Sequence, residues 1–319
     1  MTITAEKPTT AATGRPPARR RRRSPVTWVR GGGLGALLFL VPMLLVFTAF
    51  SWLPIGESVV MSFQQTNLVT APVFVGLDNF RTVLTDPLLW TAVRNTLWFA
   101  LLALLLGYPV PLVAAVLMSE VRRFRGLYSA LAYLPVVIPP VVAVLLWKFF
   151  YDAGPAGVFN TVLRVVGLGP LPWLQDSSTA MVSLVVEATW AAAGGTIIIY
   201  LAALTSVSPD LYEAAEIDGA SVWRKIWHVT LPQLRGVLLI TFILQIIGTA
   251  QVFLEPFLFT SGGPAHATTT ILLLIYDYAF AGTLGGDYGS ATALSVLLAL
   301  VLAVFSAVYF RLTRSWGTS

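Results

Sequence analysis

The sequence predicts an all-α integral membrane protein: six transmembrane helices, with a short charged helical module on the cytoplasmic side between the fourth and fifth. Three observations carry this. Of 319 residues, 56% are hydrophobic and only 11% charged, whereas soluble domains carry about a quarter charged residues. That leaves too little polar surface to cover a globule in water. Six windows then supply the roughly twenty apolar residues that cross a bilayer at about 1.5 Å each: 34–54, 96–119, 126–147, 180–204, 236–254 and 288–310. Finally, with the N-terminus inside, sixteen Lys and Arg fall in inner segments and four (Arg81, Arg94, Lys148, Arg164) in outer ones. This bias places both termini in the cytoplasm.

Residues 1–33 form a basic tail, with seven Arg in the first thirty positions, including the run Arg19 to Arg23. Its composition predicts a disordered cytoplasmic segment that holds topology and touches anionic membrane lipid, not a nucleic-acid arm. The apolar run from Leu34 is too long for a signal-peptide core and no A-x-A site follows it. The transmembrane domain proper is 34–314, and 315–319 is a short C-terminal tail. Five windows are free of charge; the fourth holds Glu187. The segment 265–276 is apolar but too short to cross, and is expected at or just inside the outer interface. The outer connections, 55–95, 148–179 and 255–287, are rich in Gly, Pro and Asn and long enough for a docking surface. Pro42, Pro109, Pro111, Pro135, Pro139 and Pro140 fall inside predicted spans. They read either as static kinks or as hinges beside a pathway.

Several chemistries are excluded. There is no Cys, hence no disulfide, thiolate metal site or Cys nucleophile. The two His, His228 and His266, are far apart in sequence, a poor supply for a metal centre or a Ser-His-Asp triad. The three Lys (Lys7, Lys148, Lys225) precede Pro, Phe and Ile, so none is the Lys of a P-loop. No cofactor is expected on this chain and no catalytic residue is assigned.

The inner segment 205–235 contains "EAAEIDGASVWRKIWHVTLP", residues 213–232. Ser208 and Pro209 are an N-cap followed by Pro at the first helical position. Asp210, Glu213 and Glu216 share an acidic face, and Ala214 and Ala215 permit close approach by another surface. Gly219 ends this helix by reaching positive φ. Ser221 then opens a second, amphipathic helix, with Trp223, Ile226, Trp227 and Thr230 on one side, which Pro232 ends by restricting Leu231. Physically this is either an interfacial connector between spans or a docking element for a cytoplasmic partner.

The stretch "YEAAEIDGASVWRKIWHVTLP" resembles the EAA loop of binding-protein-dependent ATP-binding cassette importer permeases, element by element: Glu213, Ala214, Ala215, Asp218, Gly219, Ala220, Trp223, Leu231 and Pro232. "FVGLDNFRTVLTDPLLWTAVRNTLWF" (74–99), "WLQD" (173–176), "TSGGP" (260–264) and "YGSATALSVLL" (288–298) are similar to the carbohydrate-uptake branch of that family, of maltose and glycerol-phosphate type. Glu255 stands where that branch usually has an aspartate. The resemblance covers 34–314 and leaves the Arg-rich tail outside.

The resemblance implies a sugar importer permease of the bacterial plasma (inner) membrane. The first helix of the 205–235 loop becomes a coupling helix seated in an ATPase subunit, with Glu213 pairing to a basic residue there. It implies as partners a second, similar but non-identical permease subunit, two nucleotide-binding ATPase subunits that carry ATP and Mg, and an extracytoplasmic solute-binding protein.

The residues themselves suggest where a sugar would pass. An intramembrane carboxylate, Glu187, usually faces the protein interior or water, although it could instead snorkel toward the outer surface. Trp190 lies one turn on and offers a face to sugar CH groups. Gly194 and Gly195 open a cavity or allow close helix packing. Gln245, Thr249, Gln251 and Glu255 recur near a helical turn on span five, lining the same route or bonding to neighbouring helices. Two other functions compete: an ion-gradient-driven secondary transporter, and a membrane-embedded glycosyl transferase. Few buried acids and no evident inverted repeat weigh against the first; no acid/base cluster supports the second.

Overall fold

The computed structural model describes residues 34–121, 123–154, 157–281 and 286–313. The Arg-rich tail, Arg122, Arg314 and the C-terminal tail lie outside the described residues. The chain divides into two compact units between Gly56 and Glu57.

Helix α1 is Leu38–Met61. The second unit opens with a two-stranded antiparallel ribbon, β1 (Gln64–Gln65) and β2 (Val73–Phe74), with Gln64 opposite Phe74. Helix α2 is Asp78–Thr85 and α3 is Pro87–Glu120. Next come α4 (Arg125–Val137), α5 (Pro140–Phe150) and α6 (Val158–Val165). Helix α7 is Ser177–Thr205, α8 is Pro209–Ile217 and α9 is Val222–Ala250. Two more close the chain, α10 (Ile271–Phe280) and α11 (Tyr288–Thr313). Five of these helices are long and apolar enough to cross a membrane, or six if α4 and α5 count as one bent span.

The prolines explain most departures from the expected boundaries. Pro54, Pro109 and Pro232 do not end helices. Each sits two residues beyond a five-residue π-helical stretch: Thr48–Trp52, Ala103–Gly107 and Ile226–Thr230. The residue before each proline bonds five residues back, as Tyr108 does to Ala103 at 2.8 Å and as Leu231 does to Ile226. A proline ring clashes with the carbonyl four residues earlier. Here that carbonyl lies within the widened turn, where the ring has room. Span one therefore continues to Met61, and the second helix of the module is not stopped at Pro232 but runs on as α9 through the predicted fifth span. That span ends at Ala250, so Gln251 and Glu255 lie beyond it.

Two other boundaries move for different reasons. Span two begins at Pro87, not 96, because Asp86 caps it by accepting from the Leu88 amide at 2.7 Å. Arg94, which closed the apolar window, is simply turned outward. Span three is two helices meeting at 99°. Ile138 and Pro139 each precede a proline and are held extended, with ψ of 128° and 132°, as the following ring demands.

Helix α7 is central and packs on α3, α4, α5 and α9. Toward its start Leu184 and Val185 join Phe99, Trp147, Tyr151 and Phe259 in one apolar cluster. Toward its end Tyr200 and Leu201 pack with Ala115. Segment 260–270 is fastened into the bundle through buried Thr268, Thr269 and Thr270. Asn95 of α3 donates to the carbonyls of His266 (2.7 Å) and Thr269 (3.0 Å). Asn95→Ala strands both carbonyls, a loss of about 1–3 kcal/mol by the cost of unpaired buried polar groups. Asn95→Asp turns carboxylate oxygens on the same carbonyls and is expected to lower the thermal midpoint of purified protein further than Asn95→Ala does.

Candidate functional site

Two regions carry most of the residues singled out by sequence, and α9 joins them. The first is the 205–235 module. Pro209 takes the first helical position of α8, but Ser208 and Ser221 make no side-chain capping bond. The helix ends at Gly219, φ +70°, in a Schellman arrangement: Gly219 N donates to Glu216 O at 3.0 Å and Ala220 N to Ala215 O at 2.9 Å. Glu213, Ala214, Asp218 and Gly219 are exposed and Ala215 is half-buried. Beside them Ile217, Val222 and Trp223 stand 87%, 62% and 73% exposed. An acid beside small residues and unpartnered apolar side chains is a surface suited to a protein partner.

Glu216, the third acid of the expected face, is instead spent within the module. It pairs with Lys225 at 2.8 Å, and the adjacent ammonium holds its carboxyl below the usual range. The Tyr212 hydroxyl lies 3.1 Å from Oγ1 of buried Thr230. These two contacts clip α8 to the start of α9.

The second region is a cavity of about 550 Å³ between α3, α7 and α9. It brings together Gln245, Thr249, Gln251 and Glu255, although Gln251 reaches it from the turn after α9 and Glu255 from the short helical turn that follows. Burial raises the pKa of the Glu255 carboxyl. Helix α7 contributes Val185, Ala188, Thr189, Ala192, Ala193, Thr196 and Ile199, and α3 contributes Gly107 and Tyr108. Small side chains make the space, and hydroxyls and carboxamides line it with donors and acceptors.

Glu187, Trp190, Gly194 and Gly195 are not among the lining residues. Glu187 is 1% exposed, its Oε2 unpartnered among the described residues. The Trp190 ring lies 5.5 Å from that of Trp147. Gly194 faces α4, where an added Cβ would meet the Ala132 carbonyl oxygen at 2.3 Å. Positions 187, 190 and 194 follow one helical stripe, and 185, 188, 189, 192 and 196 follow another. Of the α7 residues singled out by sequence, Glu187, Trp190 and Gly194 lie on a stripe turned from this cavity toward neighbouring helices. Neither Thr189 nor Thr196 was singled out. Their seven-residue spacing along a row of alanines was the available signal.

Known proteins are similar to this chain in sequence and in fold. Residues 107–317 match the family described as binding-protein-dependent transport system inner membrane component. The arabinooligosaccharides transport system permease protein AraP of Halalkalibacterium halodurans is 34% identical over 88% of this chain and 87% of its own. A crystal structure of a bacterial ABC transporter importing the acidic polysaccharide alginate superposes with a TM-score of 0.79 at 28% identity, covering 92% of this chain and 99% of the other. A second structure, of a bacterial alginate ABC transporter in complex with an alginate pentasaccharide-bound periplasmic protein, gives 0.78 at 27% identity over 92% and 98%.

Proposed function

The chain belongs to the family of binding-protein-dependent transport system inner membrane components, and from that premise we propose how its parts work in the permease subunit of an ATP-driven sugar importer. It is a multi-pass inner-membrane protein that works with an extracytoplasmic solute-binding protein and with separate ATPase subunits. Those subunits hold ATP and Mg and supply the hydrolysis. A second, similar permease chain completes the pathway. Both termini and the 205–235 loop face the cytoplasm, in keeping with the Lys and Arg bias.

The observation that carries this reading is the continuity of α9. Its first turns are clipped to α8, which exposes Glu213, and its last turns line the polar cavity with Gln245 and Thr249. A partner that displaces α8 displaces a cavity wall. In this reading α8 seats in an ATPase subunit, with Glu213, Ala214, Ala215, Asp218 and Gly219 at the contact. The cavity is half of the sugar's route: its carboxamides and hydroxyls, with Glu255, replace water around mono- or oligosaccharide hydroxyls. The arabinooligosaccharides named for one relative fall in that class, and the alginate imported by the structural neighbour is an acidic polysaccharide.

Reconstitution tests the whole. In liposomes holding both permease chains, the ATPase and the binding protein, a sugar bound by that binding protein accumulates only with ATP inside. Accumulation driven by an ion gradient, with this chain alone in the membrane, would instead establish a secondary transporter.

A further inference from the structure

Three tyrosines from three helices converge on one turn of α9. Tyr108 of α3 donates to the Leu238 carbonyl at 2.8 Å. Tyr309 of α11 donates to the adjacent Leu239 carbonyl at 2.5 Å. Tyr200 of α7, fully buried, lies 2.8 Å from Oγ1 of Thr241. The Thr241 hydroxyl reaches the Val237 and Leu238 carbonyls at 3.0 and 3.1 Å. The Tyr200 and Thr241 hydroxyls thus share one hydrogen bond, and Thr241 ties it to the α9 backbone. Phe242 fills the middle of the group, edge-on to Tyr108 (ring centroids 5.6 Å apart) and stacked on Tyr309 at 6.4 Å.

The position of this turn gives the group a role. Residues 238–241 lie between the start of α9, which is clipped to α8, and Gln245 and Thr249 in the cavity. The carbonyls of Leu238 and Leu239 already face the amides four residues on within the helix, so the tyrosines add to helical bonds rather than filling a helical gap. A helix that only needed packing could do this with phenylalanine. Hydroxyl bonds to a helix backbone resist sliding and rotation of that helix in a way that apolar contacts alone do not.

We infer that Tyr108, Tyr200 and Tyr309 form a collar that locks α9 to α3, α7 and α11, so that motion entering at α8 moves the three cavity walls as one body. This rests on the reading of α8 as the contact with the ATPase. Tyr200 and Tyr309 lie outside the cavity lining and are positioning residues; Tyr108 lines the cavity and holds α9 from its wall.

The chain contains no Cys, so spin labels can be placed uniquely. Labels at Leu105 of α3 and Ile240 of α9, both exposed, report the distance between those helices in the assembled complex. With the collar intact, that distance is the same without nucleotide and after trapping with Mg-ATP and vanadate. In the combined Tyr108→Phe, Tyr200→Phe, Tyr309→Phe variant it broadens and shifts on trapping, while the complex still assembles and traps nucleotide. A wild-type distance that changes on trapping overturns the collar, as does a triple variant indistinguishable from wild type. Should the triple variant not assemble, Tyr108→Phe alone, which removes the hydroxyl bond between α3 and α9, is held to the same two outcomes. Failure of the α8 reading looks different: Glu213→Arg would then leave trapping normal, whatever the α3–α9 distance does.

Discussion

Glu213→Arg is expected to abolish ATP-driven uptake while leaving the chain folded and in the membrane. Glu213 is exposed and α8 closes on itself without it: the helix is ended by Gly219 and clipped to α9 through Glu216–Lys225 and Tyr212–Thr230. Reversal of its charge therefore spares the fold. The size of the effect separates two roles for the residue. An exposed ion pair is worth about 0–1 kcal/mol, at most about a fivefold change in affinity. If Glu213 only added affinity for the ATPase, uptake would fall by that modest factor and excess ATPase would restore it. If it fixes the register in which α8 is pushed, uptake falls to background, and stimulation of ATP hydrolysis by the loaded binding protein is lost even where the complex still forms. Uptake and stimulated hydrolysis measured on the same proteoliposomes distinguish these. Unimpaired coupling would remove α8 from the motor contact.

Much of the fold was legible because lipid imposes simple rules. Windows of about twenty apolar residues located the spans, since every backbone polar group in hydrocarbon must be satisfied within a helix. Less legible was how the chain tolerates proline. In one dimension Pro232 reads as a stop, since its ring meets the carbonyl of residue 228. Whether the preceding turn widens depends on backbone geometry that composition does not encode. That single point converts a separate interfacial helix into the first turns of α9, and with it joins the exposed module to the cavity. The collar was hidden for a related reason. Tyr108, Tyr200 and Tyr309 are spread over about two hundred residues, and only packing brings their hydroxyls to one turn.

The cavity was half legible. Gln245 and Thr249 stood out because carboxamides and hydroxyls are rare in an apolar run, and they line it. Glu187 and Trp190 stood out for the same reason but lie on the packing stripe of α7. Rarity flags a residue; the helical angle decides which neighbour it meets. Threonine on a row of alanines is less conspicuous than an acid, and it was Thr189 and Thr196 that faced the space.

The glycine pair in α7 offers the sharpest test of that angle, because two adjacent and chemically identical residues are expected to respond with opposite sign. At Gly194 an added Cβ would sit 2.3 Å from the Ala132 carbonyl oxygen, 3.0 Å from Val136 Cγ2 and 3.1 Å from Tyr133 Cα. Two of those three atoms are backbone, so α4 must move bodily to admit a methyl group. Overpacking of this kind costs about 1–3 kcal/mol, and a contact against backbone belongs at the upper end. At Gly195 nothing lies within 4 Å of the added carbon. There helix propensity decides the outcome, and it favours Ala over Gly by about 1 kcal/mol. Gly194→Ala is therefore expected to lower the thermal midpoint of the purified protein by several degrees, and Gly194→Leu to prevent its recovery as folded material. Gly195→Ala should leave the midpoint unchanged or raise it. Uptake should follow the same order, since α4 and α7 must stay in contact for α7 to hold its side of the cavity. If Gly194→Ala and Gly195→Ala proved equally mild, α4 would not be seated on α7 at this turn. The stripe Glu187, Trp190 and Gly194 would then be free to face the pathway after all.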